Sequence, residues 1–314
     1  MCREDLNLPL KLWETYTYFV TNNIAERLPK NSLMLNYFKS LLIFLIFLSW
    51  EANSQVIDTL ISVGKHRLTF KIIKGNNPPI LFESGNGDSG SVWENILQPI
   101  HDSTGATLIT YDRAGLGRSE IDTSNISFKQ EIIDLNMALQ SLGFDDHIFL
   151  VAHSFGGIYA SEFARRIPDR IIGGVFIDVS TPCQLTTEYA NRVYSSISDE
   201  NWSMIKQYKP GLFHVLDKFP DIAAIMSKRN FPDSIPLTVI AAEHYKPNPH
   251  IGETEEDILL WKECLKNLGE LPFHKYVTTK NTDHKVWEKD PKTVIDEISQ
   301  LYNRIISGSL PSEE

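Results

Sequence analysis

The feature that most constrains this chain is residues 147–157, His-Ile-Phe-Leu-Val-Ala-His-Ser-Phe-Gly-Gly. An apolar run ending at Val151 reads as a buried strand, and the residues after Gly156 return to a helical pattern. Between them Ser154 stands at the apex of a strand-to-helix break. Strand and helix pass close at such a break, so small residues are needed two positions either side of the serine. Gly156 meets that need, and Ala152 meets it with one extra methyl. Taken alone, the segment is a tight turn whose serine caps the next helix. Taken with the rest of the chain, it is an elbow that presents Ser154 at a strand end as a nucleophile.

The flanking pattern puts that elbow in a sheet. Residues 56–63 and 67–74 alternate apolar and polar side chains, as an antiparallel hairpin does. Apolar runs at 80–82, 107–111, 171–177, 237–241 and 273–278 are separated by amphipathic stretches, among them 127–142. This alternation predicts an α/β fold, with a mostly parallel sheet covered by helices on both faces. Asn86, Asp112, Ser154 and Asp178 fall at the carboxyl ends of predicted strands, where sites gather in such sheets. Residues 181–234 break the rhythm with helical segments carrying Tyr189, Tyr194, Trp202, Phe213 and Phe219. They are predicted to form a helical lid over a core made of residues 55–180 and 235–314. The lid's aromatics either pack it onto the core or face an apolar acyl or aryl group.

The net charge of −10 argues against nucleic acid or an anionic membrane surface as the main partner. At the N-terminus, Lys30 and Lys39 precede an apolar run at 40–48, with the small residues Ala52 and Ser54 after it. This predicts a signal peptide over residues 34–54, cleaved before Gln55, and so a secreted or periplasmic protein. Left uncleaved, the same run would anchor the chain, which is the one route to membrane contact. Residues 1–33 form an upstream extension with no assigned role. Beyond the signal only Cys183 and Cys264 remain, and their spacing leaves open whether they pair. No Cys/His cluster has the spacing of a zinc site. His244, His250 and Glu253 lie close together in a loop and read as solvated polar residues rather than metal ligands.

Five segments, in order and at the right spacing, resemble the α/β-hydrolase superfamily over residues 58–306. They are Phe82 to Gly87 (Phe-Glu-Ser-Gly-Asn-Gly) with Trp93 after it, Tyr111 to Ser119 (Tyr-Asp-Arg-Ala-Gly-Leu-Gly-Arg-Ser), Ala152 to Gly156, Phe176 to Val179, and Asp283-His284 before the last helix. A serine hydroxyl is a poor nucleophile at neutral pH and needs a base within hydrogen-bond reach. The resemblance implies that this base is His284, in the chain order serine, acid, histidine. The acid holds the imidazole tautomer and stabilises the imidazolium. Most relatives place it after the strand that is 237–241 here, where Tyr245 occupies the expected position and Glu243 is the nearest carboxylate. A minority place it one strand earlier, at Asp178, which is the preferred acid, with Glu243 as the alternative. The implied oxyanion hole is the backbone N–H of Phe155 with that of Asn86. Asp112 and Arg113 resemble a structural tie beside the site.

The implied activity is that of an exported serine hydrolase, like a carboxylesterase, lipase or peptidase. It would cleave an ester, amide or related acyl bond of a small molecule through an acyl-enzyme, without a cofactor. Serine at position 154 sets the chain apart from the epoxide hydrolases and haloalkane dehalogenases of this superfamily, which it resembles closely but which carry aspartate there. Two rival readings stand beside it. Gly85, Gly87 and Gly90 match G-x-G-x-x-G after a strand and Asp112 ends the next, the fingerprint of an NAD(P)-dependent oxidoreductase. Against it, two strands precede the turn and Ser154 and His284 go unexplained. The third reading is a non-catalytic ligand-binding protein of the same fold. Oligomeric state has no signature in the sequence.

Overall fold

The computed structural model describes residues 55–309; the predicted signal segment 34–54 and the extension 1–33 lie outside it. Eight strands form one sheet: β1 (Val56–Val63), β2 (His66–Ile73), β3 (Asn77–Glu83), β4 (Ala106–Tyr111), β5 (Ile148–His153), β6 (Ile171–Ile177), β7 (Leu237–Ala241) and β8 (His274–Thr278). Their order is β1-β2-β4-β3-β5-β6-β7-β8. The pairs β1/β2 and β2/β4 are antiparallel, and every pair from β4/β3 to β7/β8 is parallel. The sheet predicted from the sequence is therefore present. Its antiparallel edge is the hairpin whose alternating side chains leave one face partly in water.

The parallel strands read as continuous apolar runs because helices cover both of their faces. All six residues of β5 are buried. Phe149 and Val151 belong to one apolar layer, with Trp93, Trp287 and Tyr302. Leu150 and Ala152 belong to the other, with Tyr159, Phe163 and Leu135. Helix α1 (Glu94–Thr104) and the last helix, α2 (Pro291–Ile306), supply the first layer; α3 (Phe128–Leu142) and α4 (Gly156–Arg166) supply the second. The chain reverses its winding direction at β3, which lies between β4 and β5. The turns leaving β3 and β5 therefore meet at a switch point of the sheet.

Between β6 and β7 the chain forms four helices, α5 (Thr187–Ser196), α6 (Asp199–Tyr208), α7 (Pro210–Asp217) and α8 (Phe219–Met226). Thr186 and Ser198 cap the first two by accepting from the N–H groups of Tyr189 and Asn201. Cys183, at the start of this insertion, is disulfide-bonded to Cys264 in helix α9 (Glu255–Gly269), with 5.8 Å between their Cα atoms. None of the helices among the described residues is long and apolar enough to cross a membrane.

Candidate active site

Ser154 stands between the last residue of β5 and the first of α4, with φ at +53°. That left-handed conformation is costly for a residue with a Cβ and is held by its surroundings. The Ser154 carbonyl accepts from the N–H groups of Gly157 (3.0 Å) and Ser180 (2.9 Å). The glycines after it are dictated by contact. A Cβ on Gly156 would lie 2.5 Å from the Glu83 carbonyl oxygen, and one on Gly157 would lie 2.5 Å from the Val179 Cβ. Ala152 is fully buried with its methyl accommodated, so glycine is not required at that position.

His284 Nε2 lies 2.8 Å from Ser154 Oγ, and its Nδ1 lies 2.7 Å from Asp178 Oδ2. With Nδ1–H donating to the carboxylate, Nε2 is free to accept the serine proton. Asp178 follows β6 with φ at +44°, and its second oxygen accepts from the Ala242 N–H at 3.2 Å. Its carboxylate thus reaches across to the end of β7. Glu243 lies elsewhere. One of its oxygens accepts from the Asn281 N–H at 2.5 Å and lies 3.4 Å from His244 Nε2, while the Glu243 N–H donates to Thr282 Oγ1. It braces the loop that carries His284 and does not touch the imidazole.

Three aromatic rings surround His284: His153 at 4.5 Å, Tyr245 at 4.7 Å and Trp261 at 5.7 Å between centroids. His153 is buried, and its Nε2 donates to the His284 carbonyl at 3.1 Å. Burial, and after it the nearby His284, push its pKa well below the usual histidine range, so it stays neutral.

Asn86 and Phe155 both border the space in front of Ser154. Among the described residues, neither backbone N–H donates to a protein acceptor. The turn that carries Asn86 is held from below. The Arg113 guanidinium donates to the Ser84 and Gly85 carbonyls, at 2.6 Å each, and pairs with the buried carboxylate of Glu83. Glu83 also accepts from the Tyr111 hydroxyl. Burial raises the Glu83 pKa, and the adjacent guanidinium opposes that rise. Ser84 occupies the position where the superfamily often has histidine, and its hydroxyl accepts from Trp93 Nε1 at 3.0 Å.

The glycines of this turn have packing roles. A Cβ on Gly85 would come within 3.0 Å of His153 Nδ1, and one on Gly90 within 2.9 Å of the Tyr111 carbonyl oxygen. The Asp112 carboxylate accepts from the N–H groups of Gly90 and Arg118, at 2.8 Å each. Those bonds tie two loops together and occupy the group that the dinucleotide reading needs for a ribose.

A cavity of about 410 Å³ opens in front of Ser154. Val193, Met204, Leu212 and Phe219 of the four-helix insertion form an apolar wall, and Asn248, His250 and Glu253 form a polar one. Glu253 was expected to be solvated with its neighbours. His250 is exposed, but Glu253 is buried because the Tyr189 hydroxyl, the Tyr245 hydroxyl and the Asn248 N–H all donate to its carboxylate. Tyr245 lies eight residues before Glu253 and was the available local signal, but Tyr189 is 64 residues from Glu253 and no local pattern joins them.

Residues 78–213 match the family model described as the α/β-hydrolase fold. An uncharacterized protein, YqjL of Bacillus subtilis, is 29% identical over 41% of this chain and 49% of its own length. A haloalkane dehalogenase of Sphingobium indicum is 29% identical over 38% of this chain and 41% of its own. The chain thus spans less than half the length of these curated relatives. Among solved structures, a thermophilic esterase from Thermogutta terrifontis superposes with a TM-score of 0.55 at 19% identity, covering 80% of this chain and 99% of the esterase. With the sheet order, the elbow at Ser154 and the loop histidine before the last helix, these likenesses give the chain the α/β-hydrolase fold.

Proposed function

We propose that this protein is a serine hydrolase that cleaves an ester, amide or related acyl bond of a small molecule. The observation that carries this reading is the unbroken relay of 2.8 Å from Ser154 Oγ to His284 Nε2 and 2.7 Å from His284 Nδ1 to Asp178. In the first step Ser154 Oγ attacks the carbonyl carbon while His284 takes its proton. Negative charge then develops on the carbonyl oxygen, toward the N–H groups of Phe155 and Asn86. The imidazolium, stabilised by Asp178, returns the proton to the leaving group, and an acyl-serine remains. Water activated by His284 releases the acid by the same steps.

The dehalogenase relative suggests a different reaction, displacement at an alkyl carbon. Serine argues against it. Attack by Oγ on an alkyl carbon would leave a stable ether on Ser154 and end turnover, whereas attack on a carbonyl leaves an ester that water can open. The esterase likeness and the apolar wall of the cavity agree with an acyl substrate. A role outside the cell is supported by the Cys183–Cys264 disulfide, a bond that persists in oxidising compartments.

The test is labelling by a fluorophosphonate together with hydrolysis of p-nitrophenyl esters of graded acyl length. The full chain is expected to label at Ser154 and to turn over esters, and Ser154→Ala to lose at least about 10⁴-fold in kcat. Equal rates in the two folded proteins, with no labelling, would rule the reading out.

A further inference from the structure

Tyr245 occupies the place past β7 where a carboxylate was expected, and it is tied down on two sides. Its ring lies 4.7 Å from His284 and 5.1 Å from Trp261. Its hydroxyl donates to Glu253 Oε1 at 3.2 Å. The same oxygen accepts from the Tyr189 hydroxyl at 2.8 Å, and Oε2 accepts from the Asn248 N–H at 2.8 Å. With three donors on a carboxylate that is 8% exposed, Glu253 is a satisfied buried acceptor whose role is to hold its neighbours. Burial and the adjacent carboxylate push the pKa of both phenols up, so both remain donors at every pH where the fold is stable.

The two hydrogen bonds of His284 fix its imidazole along the line from Nδ1 to Nε2. Tilting about that line is limited by the bond to Cβ and by what packs on the ring. Of the three rings that do so, His153 ends strand β5 and is bonded to the His284 carbonyl. Trp261 is in α9, three residues from the disulfide at Cys264. Tyr245 alone belongs to an irregular segment, between β7 and the short turn at Pro249–Ile251, and beyond its packing on Trp261 its hydroxyl bond to Glu253 is what anchors its ring.

We propose that Tyr245 is a positioning residue for His284, and that Glu253 holds Tyr245 in that role. Tyr189 extends the tether to α5 of the insertion, which is seated on the same loop by Arg192 Nε donating to the Gly252 carbonyl and by the Arg192–Asp257 ion pair. Helix α5, which contributes Val193 to the cavity's apolar wall, and the ring that steadies the base therefore share one carboxylate. The inference rests on the hydrolase reading, in which His284 is the base.

The experiment compares the full chain with Tyr245→Phe, which keeps the ring and loses the tether, and with Glu253→Gln. Two readouts are used: kcat and KM on a p-nitrophenyl ester, and the far-downfield proton resonance of His284 Nδ1–H donating to Asp178. Both variants are expected to lose about tenfold in kcat with KM within about twofold, and to broaden the resonance. Unchanged kcat and a sharp resonance in both variants would overturn the proposal, whatever happens to melting temperature, since the tether would then serve folding alone. If the parent protein hydrolyses no ester, the hydrolase reading fails, and the resonance still decides whether the tether orders His284.

Discussion

Ser154 and Asp178 stand at the ends of neighbouring strands, both at positive φ, yet the chain secures them by different means. The serine half is built on the short elbow at residues 152–157, above a buried ionic cluster. Arg113 grips the Asn86 turn and pairs with Glu83, while the Tyr159 hydroxyl, one turn into the elbow helix, donates to Glu131 at 2.6 Å. The acid half is assembled from segments far apart in the chain. Asp178, Ala242, Tyr245, Trp261 and His284 meet through aromatic packing and a disulfide that spans 81 residues. A chain can thus shape one wall of a site by local sterics and the opposite wall by long-range cross-links. The two halves should respond to different perturbations, proton activity on the serine side and redox state on the acid side.

The sharpest test of the acid half is to exchange its two carboxylates separately. Asp178→Asn should lower kcat by about 10⁴, because an amide facing Nδ1 favours the wrong imidazole tautomer. Glu243→Gln should stay within a few-fold of wild type, since the bond from Asn281 to its oxygen survives the change. Ester hydrolysis by both variants checks this. A crippled Glu243→Gln beside an active Asp178→Asn would reverse the assignment.

How far the site was legible follows the same division. The elbow, the turn after β3 and the loop histidine are short-range patterns, so Ser154, Phe155, Asn86 and His284 could be named as candidates from residue type and order. The acid stayed open between Asp178 and Glu243, because choosing between them depends on where β6 and β7 end relative to each other. Phe176 pairs with Val239 and Ile177 with Ile240, a register no single segment encodes. Glu253 was misread for the same reason: a carboxylate in a polar loop looks solvated until a helix some 64 residues earlier brings Tyr189 against it. The insertion was legible as helical, but its four short helices owe their placement to contacts with the core. Gly211, for example, donates its N–H to the Gly115 carbonyl at 3.2 Å.

The disulfide gives the next effect in size. Closing an 81-residue loop removes chain entropy from the unfolded state worth about 4 kcal/mol. Cys183→Ala or Cys264→Ala should lower stability by an amount approaching that, and reduction of the wild type should match them. Chemical denaturation with and without reductant measures it. Since Trp261 lies one turn from Cys264, activity should fall before global unfolding on reduction, with the Ser154 elbow still able to fold.

The serine half should instead answer to pH, through Glu131. Burial, opposed by the Tyr159 hydrogen bond and Arg113, pushes its pKa up to about 7. A carboxyl whose folded pKa lies above its unfolded value of roughly 4.3 binds its proton more tightly when folded. Its stabilising contribution is then fully present below that unfolded value and is lost as pH rises through about 7. Over that interval the loss approaches about 4 kcal/mol, taking 1.36 kcal/mol per pKa unit. Glu131→Gln keeps an oxygen for the Tyr159 hydroxyl and removes the titration. It should therefore flatten the decline and leave the variant more stable than wild type at pH 8, with little difference at pH 5. Urea midpoints at the two pH values decide it. A wild type whose stability does not fall between them would mean that Arg113 holds Glu131 ionised throughout, making the cluster under the elbow a permanent charge network rather than a titrating one.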